Sequence, residues 1–413
     1  MNINLQTLGT FNQLVHDGAE QAAADLQQLA GITPSVEATR TDLSTYADVV
    51  EELSSEEFVA VTIRFENGLS GRAILVFERS AAETLTDHLQ GRDAANESAV
   101  SEGIQEVGNI LLSGFIDGWA DHLGRPIDIS PPTVTAGSGE SLLETVEGEY
   151  DSDSPLLSFT SSLRTAADDI TGTVFLFPER ESLKQLLSER DVNDAAPISL
   201  KNLQMFKAMT QVGTERASEN VTMMTGTETS VDVSRVSFLP IEQTVSLIDD
   251  RPYVGVVTGL NGVPSGYLLI LFDEQSACRL VEQLGAGVYE SEFEPAHRSA
   301  IEELGNIMTS GFIDGWANVL GTSITHTPPE FIHDFAPAIM DRLAAELAVD
   351  QEYVFLFDSS IETTDNAISC EIFALPNEAE LRAALEELDP KTMDLDEESS
   401  LAAAMEADPD EFL

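Results

Sequence analysis

Basic residues are scarce in this chain. Lysine and arginine together number 20 against 73 aspartates and glutamates in 413 residues, and the formal net charge is −53. Only four residues are lysine: Lys184, Lys201, Lys207 and Lys391. Binding nucleic acid requires a basic face that displaces counterions, and this composition supplies none. Cysteine is nearly absent as well. Cys278 and Cys370 sit in apolar surroundings typical of a buried core, with no CxxC and no spacing that would hold zinc. Six histidines, His16, His88, His122, His297, His326 and His333, are scattered without metal-ligand spacing, and no GxxxxGK[ST] or strand-following GxGxxG occurs. No window approaches eighteen uninterrupted apolar residues, and the N-terminal MNINLQTLGT lacks a basic, apolar signal pattern. These absences predict a cytoplasmic protein with no membrane attachment, no nucleic-acid partner and no cofactor of its own. The carboxylates are spread along the whole chain, as in proteins of a salt-loaded cytoplasm, where they keep the surface hydrated.

What is present is a repeat. SEGIQEVGNILLSGFIDGWADHLG runs from Ser101 to Gly124, and SAIEELGNIMTSGFIDGWANVLG from Ser299 to Gly321. From Gly108 to Gly124 against Gly305 to Gly321, thirteen of seventeen residues are identical without a gap, including the only two tryptophans, Trp119 and Trp316. Ile104, Val107, Leu111, Phe115, Trp119 and Leu123 recur every three or four residues, as do Ile301, Leu304, Met308, Phe312, Trp316 and Leu320. Each copy is therefore predicted to be a long amphipathic helix with that stripe inward. Glu106, Asn109 and Ser113, and Glu303, Asn306 and Ser310, fall on another face. Gly108, Gly114 and Gly118, with Gly305, Gly311 and Gly315, each cost a helix about 1 kcal/mol relative to alanine. Close approach of another backbone, in the fold or in a partner, would account for them.

The rest of the chain repeats too. A long helix over about Leu5 to Ala30 is followed by a polar connection, then FVAVTIRF and RAILVF around an Asn-Gly turn, a hairpin signature. A short helix, the repeated helix, Pro131 and Pro132, LLSFTSSL, ITGTVFLF and the short helix PERESLKQLLSE come next. The plan restarts at Ser199 and runs to PNEAELRAALEEL. Offsets between halves hold steady: Gly31 to Gly226 is 195, Asn67 to Asn261 is 194, Asn109 to Asn306 is 197 and Pro178 to Pro376 is 198. The fold class expected is α/β, with two tandem domains, 1–196 and 197–388. Each would be a pseudo-symmetric pair of helix, β-hairpin and helix units around an antiparallel sheet. Residues 389–413, acidic and poor in large apolar side chains, read as a disordered tail with a short helix near Ser399 to Met405.

Chemistry here must rest on carboxylate, amide and hydroxyl. A side-chain amide can place a water molecule by hydrogen bonding without acting as acid or base. A lone Glu-x-x-Asn is usually an ordinary solvated helix face. This one is duplicated and followed at the same distance by a proline pair: Asn109 to Pro131 and Asn306 to Pro328 are both 22 residues.

On those residues the sequence resembles the CheC, CheX and FliY family, whose motif is Asp or Ser, three residues, Glu, two residues, Asn, then a proline some twenty-two residues on. Ser299, Glu303, Asn306 and Pro328 or Pro329 fit it. Glu106, Asn109 and Pro131 or Pro132 fit it in the first copy, where Glu102 stands at the opening position. At the matching places of the other two long helices, Gln13 and His16, and Ala208 and Gln211, replace Glu and Asn, so those quarters read as structural. The resemblance implies a CheC-like fold over about residues 5–388 and a phosphatase acting on the phospho-aspartate of the response regulator CheY. Asn109 and Asn306 would orient water, while Glu106 and Glu303 would contact the regulator's active-site lysine. The Mg2+ would belong to the regulator. With this composition the tandem form is expected from a halophilic archaeon. A non-catalytic switch or adaptor that senses phosphorylated CheY, and a scaffold for the family's deamidase partner CheD, are the other functions the resemblance implies.

Overall fold

In the computed structural model the described residues are 2–3, 5–30, 33–45, 57–90, 97–138, 155–165, 170–179, 181–182, 198–247, 251–349, 351–363 and 368–387. The chain divides into two compact units, one formed by Asn4–Ala196 and one by Met1–Ile3 with Pro197–Leu413. The tail 389–413 and the helix expected after Ser182 lie outside the described residues.

The first unit runs α1 Leu5–Ala30, β1 Pro34–Thr45, β2 Phe58–Glu66, β3 Gly71–Glu78, α2 Arg79–Gln90 and α3 Glu97–Leu123. It continues with β4 Asp128–Ile129, β5 Thr133–Gly137, β6 Pro155–Thr165 and β7 Ile170–Pro178. Its strands lie in the order β1, β6, β7, β3, β2, every pairing antiparallel, and both β4 and β5 pair with the far side of β2. Asn67 and Gly68 take positive φ, 66° and 101°, at the β2–β3 turn, a backbone that Asn-Gly adopts most readily.

The second unit repeats this with α4 Leu200–Thr225, β8 Thr229–Pro240, β9 Pro252–Gly262, β10 Gly266–Asp273, α5 Glu274–Gln283 and α6 Pro295–Leu320. After these come β11 Ile324–His326, β12 Glu330–Phe335, α7 Ala336–Leu347, β13 Tyr353–Thr363, β14 Ser369–Pro376 and α8 Glu378–Glu387. The strand order is β8, β13, β14, β10, β9, with β11 and β12 both on the far side of β9. The order reads the same from either end of the chain's internal repeat, which is the pseudo-symmetry expected of paired quarter-units.

Two details differ from the sequence reading. Each quarter holds a third strand after its long helix: β1, β5, β8 and β12. PSVEATRTDLST is mostly polar and TSVDVSRVSFLP alternates only in two short stretches, Val231 with Val233 and Val236 with Phe238; their backbones pair with β6 and β13 over eleven and ten residues. Helix α7 was also unanticipated. Its Ala336, Ile339, Met340, Leu343 and Leu347 pack on Leu239, Tyr253, Leu269, Leu271, Val354, Leu356, Phe373 and Leu375.

The two repeated helices are built as their stripe predicts. Ile104, Val107, Leu111, Phe115 and Trp119, with Ile301, Leu304, Met308, Phe312 and Trp316, are all buried, whereas Leu123 and Leu320 at the helix ends are half-buried. Trp119 meets Phe159 of β6 edge-on at 5.4 Å, and Trp316 meets Phe357 of β13 in the same way at 5.6 Å. Cys370 is buried, its thiol pushed up to about 12 by desolvation, with Glu371 adding to the shift. Cys278, contrary to its apolar neighbours in sequence, is only half-buried because it faces outward on α5.

Helix glycines set the distance between α1 and α3. A Cβ on Gly118 would lie 2.8 Å from Gly18 Cα, and one on Gly114 would lie 3.0 Å from Ala22 Cα. Contact advances along one helix as it recedes along the other, so the two run antiparallel. In the second unit Gly315 meets Gly213 Cα at the same 2.8 Å. The glycine next to each motif asparagine is buried too: Gly108 lies on Val61, Gly305 on Val256. These glycines serve contacts inside the fold, which overturns the idea that they clear a path for a docking partner beside Asn109 and Asn306.

Candidate functional site

With its apolar stripe committed to the sheet, each repeated helix turns the opposite side outward. Glu106, Asn109, Glu303 and Asn306 are all exposed. Among the described residues none of these four side chains is hydrogen-bonded or ion-paired within the chain. Of the four corresponding positions of the other long helices, three are tied down and the fourth, Ala208, is a buried alanine. Gln13 Nε2 donates to Asp17 Oδ1 at 2.7 Å, His16 Nε2 lies 3.5 Å from Glu20 Oε1, and Gln211 Nε2 donates to Glu215 Oε1 at 3.2 Å.

The proline pair of each copy lies in the chain that returns along the helix toward the sheet edge. In the first unit Gln105 Nε2, on the helix turn that carries Glu106, donates to Pro132 O at 3.0 Å. Just before the prolines stand Ser130 and Thr327, which the motif spacing did not single out. Ser130 Oγ accepts from Arg64 N at 2.9 Å while Ser130 N donates to Arg64 O at 2.8 Å. Thr327 Oγ1 accepts from Gly259 N at 3.0 Å while Thr327 N donates to Gly259 O at 2.8 Å. The same reciprocal pair of bonds thus anchors the prolines to the hairpin in both units. A hydroxyl residue immediately before each proline pair was the signal that could have found it.

In the second unit the helix meets this segment through side chains as well. Ser310 Oγ is 2.8 Å from Asn306 O and 3.1 Å from His326 Nε2, and His326 Nδ1 is 2.9 Å from Thr327 O. About two turns C-terminal of Asn109, the Asp117 carboxyl is raised above its ordinary range by partial burial and by the like charges of Asp121 and Asp25. Among the described residues no group of three histidine, cysteine, aspartate or glutamate side chains converges as a metal site, and no helix is long and apolar enough to cross a membrane.

Comparison with known proteins bears on this arrangement. The model of the CheC-like family matches residues 104–135 and 297–333, one match in each unit and each spanning a motif helix and its proline pair. The chain is 34% identical over 187 residues, which is 44% of its own length and 92% of the other's, to CheC1 of Halobacterium salinarum, to which a CheY-P phosphatase activity has been ascribed. The chain belongs to the CheC-like family. Among solved structures, this CheC-like chain is similar to FliY of Thermotoga maritima, with 16% identity, TM-score 0.37, and coverage of 46% of this chain and 97% of that one. It is also similar to the CheX–CheY–BeF3–Mg2+ complex from Borrelia burgdorferi, with 16% identity, TM-score 0.28, and coverage of 40% and 97%. The relative from a halophile accords with the acidic composition.

Proposed function

We infer that the chain dephosphorylates a phosphorylated CheY-like response regulator, using one site in each unit. The observation that carries this reading is the contrast among the four long helices. A free, exposed Glu–Asn pair stands on α3 and on α6, each on a helix fixed from behind by a buried tryptophan. The matching places on α1 and α4 hold residues of other types, Gln13 with His16 and Ala208 with Gln211, of which Gln13, His16 and Gln211 are engaged in i,i+4 contacts.

An amide that positions water must enter the partner's site with its donor and acceptor available, and Asn109 and Asn306 meet that requirement. Each would orient a water molecule for in-line attack on phosphorus, adding nothing to the proton balance beyond hydrogen bonds. Glu106 and Glu303, one helical turn away, would engage a cationic group of the regulator. Any metal ion and the phospho-aspartate itself would be the regulator's. The family name and the activity ascribed to the Halobacterium relative support the same substrate class.

The experiment is loss of phosphate from the phosphorylated regulator, with wild type, Asn109→Ala, Asn306→Ala and the double variant. Each single variant is expected to keep part of the activity. The double variant should lose two to three powers of ten, about 3–4 kcal/mol, as for removal of one transition-state donor. A folded double variant working at the wild-type rate would refute the mechanism and favour a module that binds the phosphorylated regulator without hydrolysing it.

A further inference from the structure

Arginine has carboxylates within reach almost anywhere on a surface this acidic. Arg40 pairs with Asp42, Arg79 with Glu57, Arg251 with Glu371, Arg342 with Glu330 and Arg382 with Glu378. Arg298 does not follow them, although it is exposed on the first turns of α6 with Glu294 and Glu302 four residues to either side. Its Nε donates to Phe293 O at 2.8 Å, and its guanidinium lies over the Phe331 ring, 5.4 Å from the centroid. Phe331 in turn packs against the buried Phe293, with centroids 6.1 Å apart. Among the described residues no carboxylate pairs with Arg298, and its two terminal nitrogens have no partner within the chain.

The fold gives a poor account of a cation at this place. A helix N-terminus is the positive end of the dipole, which disfavours arginine in the first turns. An i,i+4 pair with Glu302 would offset that, and the side chain forgoes it. What its contacts achieve is to fix the planar fork, with Phe293 O holding one edge, Phe331 supporting one face, and the terminal donors left over. The first unit has no counterpart. Ser101 stands for Arg298 and Glu102 for Ser299 beside it. Val134 stands for Phe331, the two pairing with the equivalent hairpin residues Val61 and Val256.

A guanidinium fork fits carboxylate or phosphate. Arg298 precedes Asn306 by eight residues, about 12 Å along the helix, and helical side chains lean toward the N-terminus, so a phosphoryl group seated at Asn306 is out of its reach. A carboxylate on the regulator's surface remains. We propose that Arg298 is a binding residue of the second site that takes such a carboxylate in a bidentate pair, so that the two sites differ in the regulator surface they accept. At the first site the same carboxylate would meet Ser101 and the like charge of Glu102. The proposal rests on the functional reading above for its partner, but it needs docking only and not hydrolysis.

The test uses the full chain and a phosphorylated CheY-like regulator. In an Asn109→Ala background, where the second site works alone, Arg298→Gln is expected to raise KM about tenfold with kcat unchanged, as for loss of a hydrogen bond to a charged group made equally before and during reaction. Arg298→Lys should recover only part, because an ammonium has neither the fork nor the flat face. In an Asn306→Ala background Arg298→Gln should leave KM as it was. The regulator's surface aspartates and glutamates are then changed singly to amides. One of these changes should raise second-site KM beside Arg298 and have little further effect beside Arg298→Gln. Calorimetry with the beryllofluoride-loaded regulator makes the comparison without turnover, and there Arg298→Gln should weaken one of two binding events and leave the other. If binding behaves so while no variant releases phosphate, the carboxylate contact stands and the phosphatase reading fails. An unchanged second-site KM, a fall in kcat and Tm in its place, or the lack of any coupled acidic residue on the regulator overturns the proposal.

Discussion

Replacing Gly315 with alanine sets two effects of known sign against each other. Helix propensity favours alanine by about 1 kcal/mol. Against it, the new methyl would lie 2.8 Å from Gly213 Cα and 2.9 Å from Gly213 N, backbone atoms that cannot rotate away. Restoring ordinary contact means moving α4 and α6 apart by somewhat under about 1 Å, and overpacking of this kind costs about 1–3 kcal/mol. That movement also loosens the seam where Phe312 and Trp316 are buried and where Trp316 meets Phe357. The net expectation is a loss of about 1 kcal/mol, or about 2–4 °C in Tm for a unit of this size. Each unit holds a single buried tryptophan, so in a Trp119→Phe background the fluorescence of Trp316 reports the second unit alone. Adding Gly213→Ala should cost less than its single effect, because the helices have already separated. A Gly315→Ala protein as stable as wild type but impaired toward the regulator would refute the reasoning, since it would show that the glycine serves a partner and not the helix seam.

Two further outcomes follow from particular contacts. The Asp117 carboxyl is raised by burial first and by Asp121 and Asp25 next, so its ionisation opposes folding. Its stabilising protonated form is lost as pH rises through the raised value, so Asp117→Asn should raise Tm at neutral pH, with the gain vanishing below the ordinary 3.8 and shrinking in salt. Asp273 caps α5, accepting from Ser276 N at 2.7 Å, and Asp273→Ala should cost about 1 kcal/mol in denaturant unfolding.

The parts legible in the sequence were those whose signal is local. The stripes of α3 and α6 decide which side is buried, and so leave Glu106, Asn109, Glu303 and Asn306 outward without reference to any other element. Asn67-Gly68 fixes a hairpin through backbone preference alone. The parts missed depend on partners far along the chain. Strand β1 is polar because much of its stability comes from pairing with β6 more than a hundred residues later, and its one buried carboxylate, Asp42, accepts from Thr160 of that strand. The helix glycines announced close approach, but sequence could not say to what; Gly18 and Gly213 in the other helices are the answer. Ser130 and Thr327 stand out in sequence only as a hydroxyl before each proline pair; what they do could not be read there, their partners being backbone atoms of Arg64 and Gly259.

The contrast between free and tied helix positions bears on why two of four quarters carry the motif. An i,i+4 contact such as Gln211 with Glu215 is worth only about 0.2–0.5 kcal/mol, too little to keep an amide from a partner that offered more. Tying alone therefore does not set α1 and α4 apart from α3 and α6; the residue types do. Gln211 is one methylene longer than asparagine, so an amide carried there would reach a different point above the helix, and on that helix Ala208 leaves no carboxylate one turn before it. His16 on α1 presents a ring where a planar amide would be needed, with Gln13 in place of the acid. Pseudo-symmetry thus supplies four equivalent backbone positions, but only α3 and α6 combine the two side chains with the returning proline segment. Between those two, one remaining difference is the join to that segment, Gln105 with Pro132 O in one and Ser310 with His326 in the other.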